Sequence, residues 1–315
     1  MRLSRRAMLA LAAFASSARA QEAERPIQLI VPFAPGASSD GLARILATSL
    51  GPRLKRTVTP ENRPGGGGSV GLMAVARAAP DGATIGIGAT GAVAISPHTA
   101  EATALRPLEQ LTPIARLADI PLVLVASKAS GMTTLAEVLA RARATPGGLS
   151  YGSTGTNSAQ HLSIELLKAR TGANLVHIPS RGSAPAATDV LTGAVPLASV
   201  DLTSAAPHIA SGAMVGIGVT SAARTSLAPG IPTLAEGGVP GFVATAWLGL
   251  FGPAGLPPAL VARLAAEVGA VLADGDERAR VLALSCDPSF LPPAAFAAFL
   301  AEQSAQWKQA VATLG

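Results

Sequence analysis

Between Ile27 and Val311, short apolar β-rich runs alternate with stretches of helical periodicity, and this alternation constrains the fold of the 315-residue chain more than any other feature. Strand, amphipathic helix and strand in repeated succession pack as a mostly parallel sheet covered by helices, an α/β architecture. Ile27–Phe33 predicts the first strand, and Leu42, Ile45, Leu46 and Leu50 recur at helical spacing behind it. Thr84–Gly88 predicts another strand, and Leu122–Ala126 is a continuous apolar run of the kind buried on both faces. Leu135–Ala144 reads as helix and Leu149–Ser153 as strand, followed by a helix carrying Leu162, Leu166 and Leu167. Leu175–Ile178, Val195–Val200, Met214–Val219 and Ala246–Phe251 continue the strands, the last stopped by Gly252-Pro253. Two amphipathic helices follow, one marked by Leu260, Val261, Leu264, Val268 and Val271, the other by Phe296, Phe299, Leu300, Trp307 and Val311. The length exceeds what one hydrophobic core serves, which predicts two lobes. No internal repeat or low-complexity linker is visible, so ordered strands must join them.

Composition narrows the function classes. A hydrophobic share of 49% against 14% charged residues describes a core-forming chain. Aromatic residues at 3% supply neither base-stacking platforms nor cages for quaternary amines. The single cysteine, Cys286, rules out an intramolecular disulfide and a cysteine-based zinc site, and is expected to be inert packing. Residues 1–20 are expected to form a secretory signal: Arg2, Arg5 and Arg6, then apolar Ala7–Ala15, then Ala18-Arg19-Ala20 before a cut at Gln21. Nine apolar residues are about half of the ~20 that span a bilayer. Ser4–Leu9 also resembles a twin-arginine signal, which leaves the export route open. Removing this segment takes away four arginines and leaves 20 basic against 19 acidic residues. The mature chain therefore carries no basic footprint for nucleic acid.

Two strand-to-helix turns carry the candidate chemistry. In Phe33-Ala34-Pro35-Gly36-Ala37-Ser38-Ser39-Asp40, Gly36 permits an unusual backbone angle and Ser38 or Ser39 can cap the helix. Such a turn is either an ordinary capped helix or an anion cradle, in which outward amides and the positive end of the helix attract a carboxylate or phosphate without a cationic side chain. Tyr151-Gly152-Ser153-Thr154-Gly155-Thr156-Asn157-Ser158 is a second turn of the same kind, and two cradles fit a cleft with one contributed by each lobe. Gly86-Ile87-Gly88-Ala89-Thr90-Gly91 matches a dinucleotide fingerprint, with Glu109 at a suitable distance, but Ser96-Pro97 interrupts the helix it requires, and a cleft-wall loop is expected instead. The Gly65–Gly68 run lacks the ending of a phosphate-binding loop and reads as a flexible turn. His98, His161, His177 and His208 show no metal-ligand spacing, and His161 with Glu165 reads as a local pair. No G-x-S-x-G elbow is present. Asp40, Asp189 and Asp201 are the acids placed nearest the expected cleft.

These landmarks, in order, resemble a known family. Pro32-Phe33-Ala34-Pro35-Gly36 with Asp40 and Arg44, Glu61-Asn62-Arg63-Pro64-Gly65 and Ala79-Pro80-Asp81-Gly82 are similar to the Bug-type periplasmic solute receptors of tripartite tricarboxylate transporters. Downstream, Tyr151-Gly152-Ser153 with His161-Leu162, Arg181-Gly182-Ser183-Ala184-Pro185-Ala186, Arg224, Ile231-Pro232-Thr233 and Trp247 extend the match. The resemblance implies a two-lobed periplasmic binding protein fold, type II-like, with a ligand cleft between the lobes and closure in the manner of a Venus flytrap. It implies a first lobe of residues 21–122 with 228–315 and a second of 123–227. A carboxylate would be held by Phe33, Ala34, Gly36, Ala37, Ser38, Ser39 and Asp40 from one loop and by Ser153, Gly155, Thr156, Asn157 and Ser158 from the other. Asp201 would approach the variable end of the ligand. Two departures stand out: Ala37 where the family has a second glycine, and Ser180 where it has tyrosine. The expectation is a monomeric periplasmic receptor without cofactor or metal, whose partners are a small organic carboxylate and a membrane permease. A periplasmic enzyme acting on a carboxylated substrate is the alternative.

Overall fold

The computed structural model describes residues 25–100 and 104–312, so the expected signal segment lies outside the described residues. Buried strand β1 (Ile27–Val31) runs into α1 (Ser38–Leu54), whose Leu42, Ile45, Leu46 and Leu50 turn inward as their spacing requires. The chain returns through β2 (Val58–Asn62), α2 (Ser69–Ala76) and β3 (Thr84–Ala89), and β1 lies between β2 and β3, parallel to both. Behind β3 a π turn at Gly91–Ile95 and a short turn at Ser96–His98 stand where a dinucleotide-binding helix would have to be, as Pro97 requires. Strand β4 (Leu111–Ile120) then leads through Pro121 into β5 (Leu122–Ser127), every residue of which is buried.

The second half-structure follows in order: α3 (Leu135–Ala144), β6 (Leu149–Ser153), α4 (Ala159–Thr171), β7 (Leu175–Pro179), α5 (Ser183–Leu191), β8 (Leu197–Asp201), α6 (Leu202–Ala210) and β9 (Met214–Val219). The chain recrosses into β10 (Ala246–Pro253) and ends with α7 (Pro258–Ala273), α8 (Gly275–Ala283), β11 (Asp287–Leu291) and α9 (Pro293–Ala312). Two sheets result, one ordered β11-β4-β10-β3-β1-β2 and the other β7-β6-β8-β5-β9.

The sheets are mixed rather than mostly parallel. Parallel pairing is confined to β1 with β2 and β3 and to β6 with β7 and β8. A strand that returns from the other lobe arrives in the opposite sense, so β10 runs antiparallel to both β3 and β4, and β5 antiparallel to β8 and β9. Strands β2, β4 and β11 carry no periodic signal. β2 is an edge strand holding Pro60 and Glu61, where proline is tolerated. Along β4 the register shifts opposite Leu248/Gly249 and Leu250/Phe251 break the alternation of faces. Leu122 pairs with Asp201 in the second sheet, and the segment after β9 folds back on that sheet, the Val219 N–H donating to the Pro232 carbonyl and the Leu234 N–H to that of Val219. There Ile231 and Leu234 fill the space left by Gly216 and Gly218 of β9, and Thr233 bridges to Val219.

Aromatic contacts anchor β10 to α9: Trp247 meets Phe296 edge-on at 5.8 Å between ring centres, and Phe251 lies 5.3 Å from the same ring. Leu250 on β10 is fully buried. Leu250→Ala should cost about 2–5 kcal/mol, whereas Leu108→Ala at an exposed position should stay within about 0.5 kcal/mol, both read from urea unfolding midpoints. Equal effects would contradict the central placement of β10.

Candidate functional site

The first cradle is built at the end of β1. Gly36 takes a φ of 91°, and Ala37 follows as the N-cap of α1 with no side-chain oxygen to offer. Neither Ser38 nor Ser39 caps the helix, contrary to expectation, and Ala37 at the N-cap offers no side-chain acceptor. The Ser38 hydroxyl instead donates to Asp201 of the other lobe. Ser39 is buried, and its Oγ has no hydrogen-bond partner among the described residues. Asp40 is engaged within its own lobe: Oδ2 accepts from the Gly36 N–H at 3.2 Å and Arg44 Nε at 3.0 Å, and Oδ1 accepts from Asn62 Nδ2 at 3.1 Å. Burial pushes this carboxyl up, but the bonds from Arg44, Asn62 and Gly36 outweigh it and hold the pKa below its usual value. Asn62 also donates to the Phe33 carbonyl at 2.9 Å, which ties the loop to β2.

The second cradle follows β6. Ser158 caps α4, its Oγ accepting the His161 N–H at 3.1 Å. Ser153 is fully buried, accepts the Gly155 N–H at 3.1 Å and lies 2.6 Å from His177 Nε2. Asn157 sits at φ 63°, with its N–H donating to His161 Nδ1 at 3.1 Å. Thr154 Oγ1 donates to Gln160 Oε1 at 2.8 Å.

This loop lands on two glycines of the first lobe. A β-carbon at Gly67 would lie 2.4 Å from the Thr156 carbonyl oxygen, and one at Gly91 would lie 2.7 Å from that of Asn157. Side chains at these positions would hold the lobes apart. The Gly65–Gly68 run is therefore an ordered seat rather than a flexible turn, with Gly67 at φ 61°. A second backbone link runs from the Ala34 N–H to the Arg181 carbonyl at 3.2 Å.

Asp201 stands between the loops. It is the N-cap of α6 but does not cap it, and its carboxylate accepts from Ser38 across the lobes and from Gln160 Nε2 at 2.5 Å. Burial pushes its carboxyl up, against hydrogen bonds from Ser38, Gln160 and Ser183 that pull it down. The cavity around Asp201 measures about 20 Å³, room for roughly one water. Of the expected residues, Phe33, Ser38, Ser158 and Asp201 line it. Gln160, Thr90 and Trp247 line it too and were missed. Thr90 Oγ1 accepts the Trp247 N–H at 2.8 Å, joining two segments far apart in sequence, whereas Gln160 stands two residues past Ser158, the last residue of the expected second turn, and was open to detection. Ala34, Gly36, Ala37, Ser39, Asp40, Ser153 and Gly155 form the loops without lining the cavity. Thr156 and Asn157 instead border a separate cavity of about 720 Å³ with His161, Glu165 and His177. Asp189 accepts from Ser180 Oγ at 2.7 Å, away from the cavity lining.

Behind the second loop, His161 stacks on His177 with ring centres 3.9 Å apart. Glu165 accepts from Tyr151 Oη at 2.8 Å and Lys168 Nζ at 2.7 Å, and its approach to His161 Nε2 is an ion-pair distance of 3.8 Å. Burial and the neighbouring His161 push the His177 pKa down to about 4. Burial and Glu165 push the Tyr151 hydroxyl above its usual range. The Ser153–His177 contact has the atoms of a nucleophile and a base, but Ser153 is fully buried and its Oγ is occupied by the Gly155 amide, so the pair supports the turn. Cys286 is buried, and burial pushes its thiol up to about 12, in keeping with inert packing.

Residues 42–315 match the family described as the tripartite tricarboxylate transporter family receptor. The chain is 33% identical over 292 residues to Protein BugT of Bordetella pertussis (strain Tohama I), covering 92% of this chain and 90% of that one. The family is settled by this. The chain belongs to the tripartite tricarboxylate transporter receptors. Among solved structures, this receptor is similar to the periplasmic binding protein BugD, with TM-score 0.88 at 32% identity over 93% of this chain and 98% of that one. It is similar also to Rpa4515 of R. palustris with adipate, with TM-score 0.88 at 30% identity over 92% and 97% of the two chains. No helix among the described residues of the receptor is long and apolar enough to cross a membrane.

The receptor's half-buried His177 predicts a pH dependence. The folded state holds His177 at about 4, below the 6.5 of a free imidazole, so between these values the unfolded chain binds more protons. This contribution is fully present above pH 6.5 and is lost as pH falls toward 4. His177→Gln should flatten the loss in urea unfolding between neutral and acid pH, and an unchanged slope would contradict the assignment.

Proposed function

We propose that this receptor is exported to the periplasm, closes as a monomer on a small organic carboxylate and delivers it to the membrane permease of a tripartite tricarboxylate transporter. The observation that carries this is the Ser38–Asp201 hydrogen bond, which joins the first strand-to-helix loop to the end of β8 in the other lobe, at a cavity that Ser158 of the second loop also lines. Helices α1 and α4 both start at that cavity, and no lysine or arginine among the described residues lines it. A carboxylate there would be held by first-turn amides and helix dipoles, whose strength rises as closure excludes water. In this reading Ala37, Ser38 and Ser39 present one set of amides, Ala34 and Gly36 hold the loop in place through their N–H bonds to Arg181 and Asp40, and Ser153, Gly155, Thr156, Asn157 and Ser158 shape the other set. Asp40 acts at one remove, bracing the first loop through Arg44 and Asn62. The moving bodies are the two sheets with their helices, hinged at Pro121 and just before Ala246. A ligand gripped by both lobes stabilises closure by its differential affinity for that state, and the permease reads the closed surface.

A thermal-shift screen of the protein from Gln21 onward, against mono-, di- and tricarboxylates, aromatic acids and amino acids, tests this reading. A ligand at a hundred times its Kd adds about 2.7 kcal/mol of stability and raises Tm visibly. Gly67→Ala, which obstructs the seating of Thr156, should fold and lose most of that shift. A folded protein that responds to no carboxylate would falsify the proposal.

A further inference from the structure

After Ser69, residues 70–76 of α2 are apolar without exception. A helix with no polar face belongs between two packed surfaces, and α2 has only one. Its inner side presses on the first sheet, where a β-carbon at Gly86 of β3 would lie 2.5 Å from Val75 Cγ2 and one at Gly71 would lie 3.0 Å from Pro32 Cα. On the outer side Val70, Met73, Ala74 and Arg77 recur at helical spacing and line an open groove of about 600 Å³. Val70 is 53% exposed, so the described residues leave this face open.

Arg63 and Arg77 line the groove, and no acid among the described residues does. Arg63 Nε donates to Glu61 Oε1 at 2.5 Å, which anchors the guanidinium and leaves its terminal nitrogens for another acceptor. Arg77 is exposed and has no ion pair among the described residues. Arginine and methionine around an apolar centre are what protein interfaces favour.

The charge decides among occupants. A second copy on a two-fold axis would bring the patch onto itself and set arginine against arginine. An anionic bilayer is recognised by clusters of about four to eight basic residues, and this groove has two. A segment carrying carboxylates beside apolar side chains matches both the arginines and the floor. The groove is also tied to closure. Gly66 lines it, and the adjoining Gly67 is the seat of Thr156 from the other lobe. A β-carbon at Gly65 would lie 3.1 Å from Val70 Cγ2, so the glycine run that meets the second lobe also shapes the start of the groove.

We infer that this groove is where the first lobe docks on the membrane permease, through an acidic periplasmic segment of that partner with apolar residues at its centre. The inference rests on the receptor reading above and names where the partner is met.

The test pairs uptake of a labelled carboxylate found by the thermal screen, in the bacterium that carries this receptor, with the Kd of each purified variant. Arg77→Glu and Val70→Glu lie outside the ligand loops and should bind the carboxylate as the unsubstituted protein does. Each should lower uptake at least about tenfold, because a carboxylate then faces the partner's own. Leu108→Glu, exposed and outside the groove, should change neither. A photo-reactive residue at Ala74 should crosslink the loaded receptor to an aspartate- or glutamate-bearing periplasmic loop of a polytopic membrane protein. Unchanged uptake in either groove variant would overturn the inference and leave the receptor reading standing. So would uptake lost only in proportion to weakened ligand binding, or crosslinks to lipid or a second receptor instead. A folded protein that binds no carboxylate, or whose deletion leaves uptake intact, would overturn the receptor reading as well.

Discussion

The antiparallel ladder between β4 and β10 is the constraint on which the rest of the molecule depends. These two strands carry the chain toward and back from the second sheet, and they pair from Leu111 with Pro253 to Ile120 with Ala246. Their hydrogen bonds end where the second sheet begins, since Pro121 follows Ile120 and Leu122 pairs with Asp201. Both crossings are therefore held side by side. The loops after β1, β6 and β8 are brought together around the cavity between the lobes, outside the carboxyl ends of strands, where ligand sites of α/β sheets lie.

What the ladder brings together, small residues allow to touch. Gly67 and Gly91 let the backbone of the second loop approach closer than any β-carbon would permit. Against this tight fit stand few directional bonds between the lobes, among them Ser38 with Asp201, Ala34 with Arg181 and Thr203 with the Leu284 carbonyl. Each such bond is worth about 1 kcal/mol net, so closure rests on a small balance that a ligand gripped from both sides is able to shift. The stiffer parts sit behind the contact surface. Asp40 with Arg44 and Asn62 fixes the first loop, and Ser153 with His177 fixes the second.

Much of this was legible in the sequence because it depends on local chemistry. The helical spacing of Leu42 to Leu50, the buried run Leu122–Ala126 and the two glycine- and hydroxyl-rich turns are each set by neighbours in the chain. The features that escaped are set by distant partners. Strand β4 takes its bulges from β10, and Thr90 reaches the cavity wall through Trp247. Ser38 shows the difference most clearly: a hydroxyl at a helix start resembles a cap, but the helix begins one residue early, with Ala37 at the N-cap, and the Ser38 hydroxyl donates to a buried carboxylate of the other lobe. The Gly65–Gly68 run reads as flexible because it has no side chains, whereas backbone bonds from Gly68 and Val70 to the Gly65 carbonyl, together with the loop it receives, hold its conformation.

The central claim is that the two lobes meet through loops that seat on each other around a ligand. Spin labels at exposed positions on either side, Val70→Cys and Leu191→Cys, report the interlobe distance directly, because the native Cys286 is buried and unreactive. With a carboxylate that raises Tm, the distance distribution should collapse to a single short separation, which Gly67→Ala should abolish. One unchanging distance with ligand, without ligand and in Gly67→Ala would contradict the account.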